Sequence, residues 1–310
     1  MSLVVVTSDR FADHVTPPGH PERVERAEVM QVAAAKWVKE GGKVLAPREA
    51  TDEDLRRIHD AEHIETIRKL RGRPSMLDPD TFTSPQSDDV ARLAAGAVLT
   101  GIDHVVSGGK RARAFAMVRP PGHHAERDRA MGFCLYNNIG VGAAYARAKK
   151  GIERVAVVDY DVHHGNGTQH SFYADPTVLF VSSHQYPFYP GTGAANETGT
   201  GAGQGFTLNI PLSAGATDRI YDDAYRTRVI PKLQQFKPQL LLISAGFDLH
   251  QRDPLAGMEV TTEGIGKLTS QLLAAADELC DGRVVFVTEG GYDTKALYEC
   301  LEKVLALASA

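Results

Sequence analysis

Cysteine is scarce in this chain, with 3 among 310 residues. Cys134, Cys280 and Cys300 are odd in number and none stands in C-x-x-C spacing. That argues against a disulfide framework or a zinc ribbon and fits a reducing compartment. Positive charge is not in surplus either: 34 Lys and Arg face 39 Asp and Glu, a formal net charge of -5. No basic face for direct nucleic-acid binding is expected. No apolar segment approaches the roughly 18 residues needed to span a bilayer. The segment Met1–Asp9 lacks the basic n-region of a signal peptide. The expectation is a soluble, cytoplasmic protein with no membrane partner. Neither G-x-S-x-G nor a complete G-x-G-x-x-G is present, which speaks against a serine hydrolase and a dinucleotide loop. With no linker-like shift in composition and no internal repeat, residues 1–310 read as one domain.

What is there is alternation. Apolar, β-rich runs fall at Leu3–Val6, Ala114–Val118, Val155–Val158, Val178–Val181, Phe206–Ile210, Leu240–Ser244 and Val284–Val287. Helical patterns fill Glu22–Lys39, Ala61–Leu70, Ser87–Val106, Asn137–Lys149, Gly167–Tyr173, Thr217–Phe236, Thr262–Leu279 and Thr294–Ala308. A short strand is expected at Lys43–Ala46, and Thr51 to Asp54 reads as a capping box. Arg71–Pro85 is polar with three prolines and reads as loop. Short apolar runs separated by helices predict an α/β fold on a parallel sheet buried on both faces.

Ligands of such sheets bind beyond the carboxyl ends of the strands. The polar groups cluster there: His123 and His124 after one strand, Asp161 and His163 after another, then Asp248, then Tyr292. Two carboxylates and an imidazole at Asp161, His163 and Asp248 suit Zn²⁺ or Fe²⁺ with room for a water. The same residues also suit a hydrogen-bonded Asp–His network with no metal. His123 and His124 are adjacent, so an irregular loop must aim both inward, or they form a surface pair. Taken alone, Tyr292 reads as a packed aromatic and Cys134 as a small buried hydrophobe.

Together, six ordered motifs resemble the zinc-dependent histone deacetylase family: Arg119-Pro120-Pro121-Gly122-His123-His124-Ala125, Gly132-Phe133-Cys134, Asp159-Tyr160-Asp161-Val162-His163-His164-Gly165-Asn166-Gly167-Thr168-Gln169, Tyr189-Pro190-Gly191-Thr192-Gly193, Ser244-Ala245-Gly246-Phe247-Asp248 and Glu289-Gly290-Gly291-Tyr292. The similarity is to the class II branch, with its bacterial amidohydrolase and acetylpolyamine amidohydrolase relatives. It runs from His20-Pro21-Glu22-Arg23 to Tyr292.

The resemblance implies an arginase-like three-layer α/β/α fold on a mostly parallel sheet of about eight strands. It implies hydrolysis of an acyl amide on a lysine-like amine, the substrate being an acyl-lysine peptide or protein or a small acetylated amine. It assigns Asp161, His163 and Asp248 to Zn²⁺, with Fe²⁺ as an alternative in the cell. His124 matches the general base and acid, His123 its partner held by Asp159, and Tyr292 the hydroxyl that meets the substrate carbonyl. Gly132, Phe133 and Tyr189 match a narrow acyl-lysine tunnel, Leu255 its apolar rim, and Asp80 an acid that gathers substrate backbone N–H groups. A structural K⁺ would use Asp159, Asp161, His163 and Ser182, and a second Phe172, Asp175, Val178 and Tyr221. Asn166 stands where class I members carry an acid, so the partner of His124 is neutral. Leu255 stands where polyamine-specialised members carry a glutamate. A homo-oligomer stays open.

Overall fold

The computed structural model describes residues 3–310. Its strands are β1 Leu3–Val6, β2 Lys43–Leu45, β3 Ser75–Met76, β4 Phe82–Thr83, β5 Arg113–Ala116, β6 Val155–Asp159, β7 Val178–Gln185, β8 Thr207–Leu212, β9 Leu240–Ala245 and β10 Val284–Thr288. Its helices are α1 Glu25–Lys39, α2 Asp52–Leu55, α3 Ala61–Arg68, α4 Ser87–Ser107, α5 Asn138–Lys150, α6 Asn166–Phe172, α7 Asp218–Ala224, α8 Ile230–Phe236, α9 Thr262–Leu279 and α10 Thr294–Ser309. The main sheet has 8 strands in the order β2-β1-β5-β10-β9-β6-β7-β8. Every pairing in it is parallel.

The strands separate two cores by strict alternation. Leu3, Val5, Phe115, Val158, Leu241, Ile243 and Phe286 point to one face, under α1, α7, α8, α9 and α10. Val4, Val6, Ala114, Val157, Leu242 and Val285 point to the other, under α3, α4 and α5. The middle of a strand buried on both sides is apolar on both faces, which is why these runs read as continuously apolar, with polar residues such as Asp159, Ser182 and Ser244 entering toward the carboxyl ends. Each such side chain contributes roughly 1.5–3 kcal/mol on burial.

Three expectations change. The Arg71–Pro85 loop contains the antiparallel β3–β4 ribbon, too short to leave a sequence signal. The Thr217–Phe236 helix is interrupted by a π-helical turn over Tyr225–Val229. Pro231, near the start of α8, lacks an N–H for the regular ladder, and the wider turn absorbs that gap. Helix α4 is long and apolar enough to cross a membrane, contrary to the reading that no segment is, but 72% of its apolar window is buried in the protein. It is a core helix packed on α5 and β5.

Candidate active site

Strands β5, β10, β9 and β6 are adjacent and parallel, so their carboxyl ends form one continuous edge. His123 and His124 follow β5, Asp161 and His163 follow β6, Asp248 follows β9, and Tyr292 follows β10. All of these side chains are buried.

Asp161, His163 and Asp248 present ligand atoms that all lie within 4.8 Å of one another. His163 Nδ1 is 3.0 Å from Asp161 Oδ1 and 3.2 Å from Asp248 Oδ2. The backbone holds the remaining oxygens: Val162 N–H donates to Asp248 Oδ1 and Gly290 N–H to Asp161 Oδ2. Asp248 Oδ2 is buried with no hydrogen-bond partner. A Cβ at position 290 would stand 2.0 Å from that atom, so glycine is required beside it. Burial and then repulsion from Asp161 push the Asp248 carboxyl up to about 7. Burial opposes a charged His163, yet Asp161 and Asp248 outweigh it and lift the imidazole to about 10. Two buried carboxylates that demand positive charge, one orphaned oxygen and an imidazole form a donor set that fits a zinc-class divalent ion. Phe188, which the sequence reading passed over, stacks on His163 at 5.3 Å and 19°.

The adjacent histidines both face inward, 4.0 Å apart between ring centroids. The loop that carries them is pinned by Glu289, whose Oε2 accepts N–H bonds from Gly122 and His123. Their environments are opposite. His123 Nδ1 donates to Asp159 Oδ2 at 2.9 Å. Burial disfavours its charge, but Asp161, Asp159 and Glu289 raise its pKa to about 10. His124 Nδ1 faces Asn166 Oδ1 at 2.7 Å. Burial, followed by the His123 and His163 charges, holds it well below the ordinary imidazole range.

Gly132 and Phe133 form a tight turn with φ of 56° and 68°, closed by paired backbone bonds between Met131 and Cys134. A left-handed aromatic residue is strained by about 1–3 kcal/mol. The turn aims Phe133 across Tyr292, centroids 5.8 Å apart, and Tyr189 stands edge-on to His124 at 5.2 Å. A Cβ at Gly132 would meet His124 Cδ2 at 2.5 Å. Phe133 N–H donates to Thr81 Oγ1, which draws the Asp80 loop to the same rim. His20, an unassigned residue of the His20-Pro21-Glu22-Arg23 motif, donates from Nε2 to Asp80 O at 2.9 Å. Leu255 is tied to Tyr292 through one carboxylate: Asp253 Oδ1 accepts Leu255 N–H and Oδ2 accepts Tyr292 N–H.

Asp159 and Ser182 are register partners on β6 and β7. Phe172, Asp175 and Val178 lie together at the turn into β7, where Asp175 also pairs with Arg147 at 3.0 Å. The Tyr221 side chain packs in the core cluster on the opposite face of the sheet from Phe172 and Val178.

The histone deacetylase domain family matches residues 20–308. A probable deacetylase of Archaeoglobus fulgidus is 39% identical over 94% of this chain and 81% of its own length. A histone deacetylase-like amidohydrolase of Pseudomonas aeruginosa is 42% identical over 78% of this chain and 64% of its own. The crystal structure of the HDA15 HD domain superimposes with a TM-score of 0.92 at 36% identity, covering 99% of this chain and 89% of that one. The parallel sheet between two helical layers is thus the arginase-like fold. On domain match, fold and sequence identity together, the chain belongs to the histone deacetylase family, whose members are deacetylase and amidohydrolase enzymes.

Proposed function

We propose that this chain hydrolyses the acetyl amide of lysine side chains in peptides or proteins, using a Zn²⁺-class ion held by Asp161, His163 and Asp248. The observation that carries the reading is geometric: adjacent His123 and His124 turn inward beside that cluster, one held by the Asp159 carboxylate and the other by the Asn166 amide oxygen. When bound, the ion would supply Lewis acidity toward the acyl oxygen and would acidify a water. His124, kept neutral, accepts the proton of the attacking water and returns it to the departing amine. His123, kept charged on Asp159, stays out of proton transfer and contributes a fixed positive field. Burial, followed by repulsion from Asp248, holds the Tyr292 phenol well above its usual range, so its hydroxyl remains a donor for the acyl oxygen. On this reading Phe133 and Tyr189 would flank the aliphatic stem of the substrate, Leu255 would stand at the rim and Asp80 would meet substrate backbone N–H groups. Asp159, Asp161, His163 and Ser182 support a K⁺ beside the metal.

A second reading is a small-molecule amidohydrolase acting on acetylated polyamines. Asp78 and Asp80 favour it: burial and then the Asp78 carboxylate raise the Asp80 pKa, a concentration of negative charge near the rim that would attract a cationic tail. Turnover of an acetyl-lysine peptide and an acetylated polyamine, measured side by side on metal-replete protein, separates the two. Preference for the peptide supports the first reading, and preference for the polyamine replaces it with the second. Absence of turnover on both, in protein shown to hold metal, overturns both.

A further inference from the structure

The motif that carries His124 runs on into Glu126, and the helix that opens with Asn166 runs on to His170. Neither Glu126 nor His170 has a role in the chemistry above. The fold brings both together behind His124. Asn166 Oδ1 stands 2.7 Å from His124 Nδ1, and Nδ2 of the same amide donates to Glu126 Oε1 at 2.6 Å. The same Nδ2 also donates to the His124 carbonyl oxygen at 3.3 Å and to Met131 Sδ at 3.4 Å. Glu126 is only 7% exposed, and its carboxylate is paired at 2.8 Å with Nδ1 of the half-exposed His170.

The two ends of an asparagine amide are alike in shape and opposite in chemistry. An ionised carboxylate only accepts hydrogen bonds. Glu126 therefore obliges Asn166 to turn its NH₂ outward and its carbonyl toward His124. A carbonyl also only accepts, so His124 Nδ1 must carry the proton and Nε2 keeps the lone pair. In the reversed amide, two oxygens would face each other at the 2.6 Å contact. His124 would then be pushed to the tautomer protonated on Nε2, which cannot take a proton from water. An aspartate at 166 would settle the tautomer unaided, but would set a second negative charge beside the base. The neutral amide avoids that charge, and its orientation then rests on the acceptors around Nδ2, of which Glu126 Oε1 at 2.6 Å is the nearest and carries the charge, ahead of the His124 carbonyl at 3.3 Å and Met131 Sδ at 3.4 Å. His170 completes the device. Burial would favour a neutral Glu126, which could donate; bonds from His170 and Asn166 outweigh it and hold the carboxyl below its usual range.

We propose that Glu126 is a positioning residue for deacetylation, one that sets the Asn166 amide and thereby the tautomer of His124. The proposal rests on the reading of His124 as general base. It is tested with Glu126→Leu, Glu126→Gln, Asn166→Asp and the double variant Asn166→Asp/Glu126→Gln in the full chain. Each is loaded with Zn²⁺, checked for metal stoichiometry and assayed on an acetyl-lysine peptide. Glu126→Leu is expected to lower kcat by about 10- to 100-fold, with KM and bound metal unchanged. Glu126→Gln retains an acceptor without dictating direction and falls between Glu126→Leu and wild type. Asn166→Asp sets carboxylate against carboxylate and also lowers kcat. Adding Glu126→Gln to it supplies an NH₂ donor and restores about tenfold, a gain that lost packing would not produce. A Glu126→Leu kcat within about twofold of wild type, or a double variant no faster than Asn166→Asp, overturns the proposal. If Glu126→Leu fails to fold, the comparison of Asn166→Asp with the double variant still decides. Retained turnover in His124→Ala would overturn the base assignment and this inference with it. An inactive His124→Ala alongside normal Glu126 variants would overturn this inference alone.

Discussion

Single atoms carry the chemistry at the residue scale. Replacing Tyr292 by Phe removes one hydroxyl and leaves Asp161, His163 and Asp248 untouched. Tyr292→Phe is expected to lower kcat by about 10²–10³ with metal stoichiometry unchanged. Wild-type-like turnover would remove Tyr292 from the mechanism. His124→Ala should abolish turnover for the reason given above. Gly290→Ala acts on the metal cluster instead, because its Cβ would fall 2.0 Å from Asp248 Oδ2 and 2.7 Å from Asp161 Oδ2. Weaker Zn²⁺ binding by calorimetric titration is the expected result, and unchanged affinity would contradict this geometry. Asp161, His163 and Asp248 were legible in the sequence because each directly follows an apolar strand. Glu126 was not, since its partner Asn166 lies 40 residues away and only the fold joins them. A trace did exist: Glu126 abuts the His123-His124 motif, and His170 lies one helical turn beyond Asn166.

At the scale of elements, close approach explains composition that reads in sequence only as helical. Helix α4 is rich in Ala and Gly because its neighbours leave no room. A Cβ at Gly96 would stand 1.8 Å from the Arg48 carbonyl oxygen, a backbone atom that cannot swing aside. Ordinarily Gly→Ala in a helix is stabilising. Here Gly96→Ala is expected to destabilise by about 1–3 kcal/mol. A lowered urea midpoint at unchanged slope would bear this out, and a raised midpoint would refute it. The capping box from Thr51 to Asp54 forms as the residue types predict, with both reciprocal bonds present. Helix α1 begins at Glu25 rather than Glu22 because Glu22 is taken up elsewhere. Its carboxylate is buried between Arg26 and Arg119, at 2.9 and 2.7 Å. That ion cluster joins positions 97 apart in sequence, and no local propensity reveals it.

Titration is a property of the whole molecule. Burial holds His59 at about 3 and His14 at about 4, for His14 with Glu22 opposing and Arg119 adding to the effect. His59 Nε2 accepts the Asn137 N–H and Nδ1 faces the Glu126 carbonyl, an arrangement that needs the neutral ring. Unfolded histidine binds its proton near pH 6.5. Between that pH and the folded values, the unfolded chain binds more protons than the folded one. The stability that these two histidines contribute is therefore full above about pH 6.5 and is lost as pH drops toward 4 and 3, by on the order of a few kcal/mol. The difference in denaturant midpoint between wild type and His59→Gln should shrink from pH 7.5 to 4.5, and a pH-independent difference would contradict a buried neutral His59. Glu22, held at about 2 against burial by Arg119 and Arg26, adds its own loss only below about pH 4.5.

By itself, the sequence determined the parallel sheet, the order of its strands along the chain and the candidate ligand set of Asp161, His163 and Asp248. These follow from local patterns: runs apolar on both faces, and acids and imidazoles placed at their ends. Only the tertiary structure decided which strands are neighbours and which atoms meet. It set β9 and β10, late in the chain, between β5 and β6. It also placed Tyr221 on the far face from Phe172 and put Glu126 behind His124. Those outcomes depend on crossovers between segments far apart in sequence, and a chain read residue by residue records what each segment buries but not the partner it buries against.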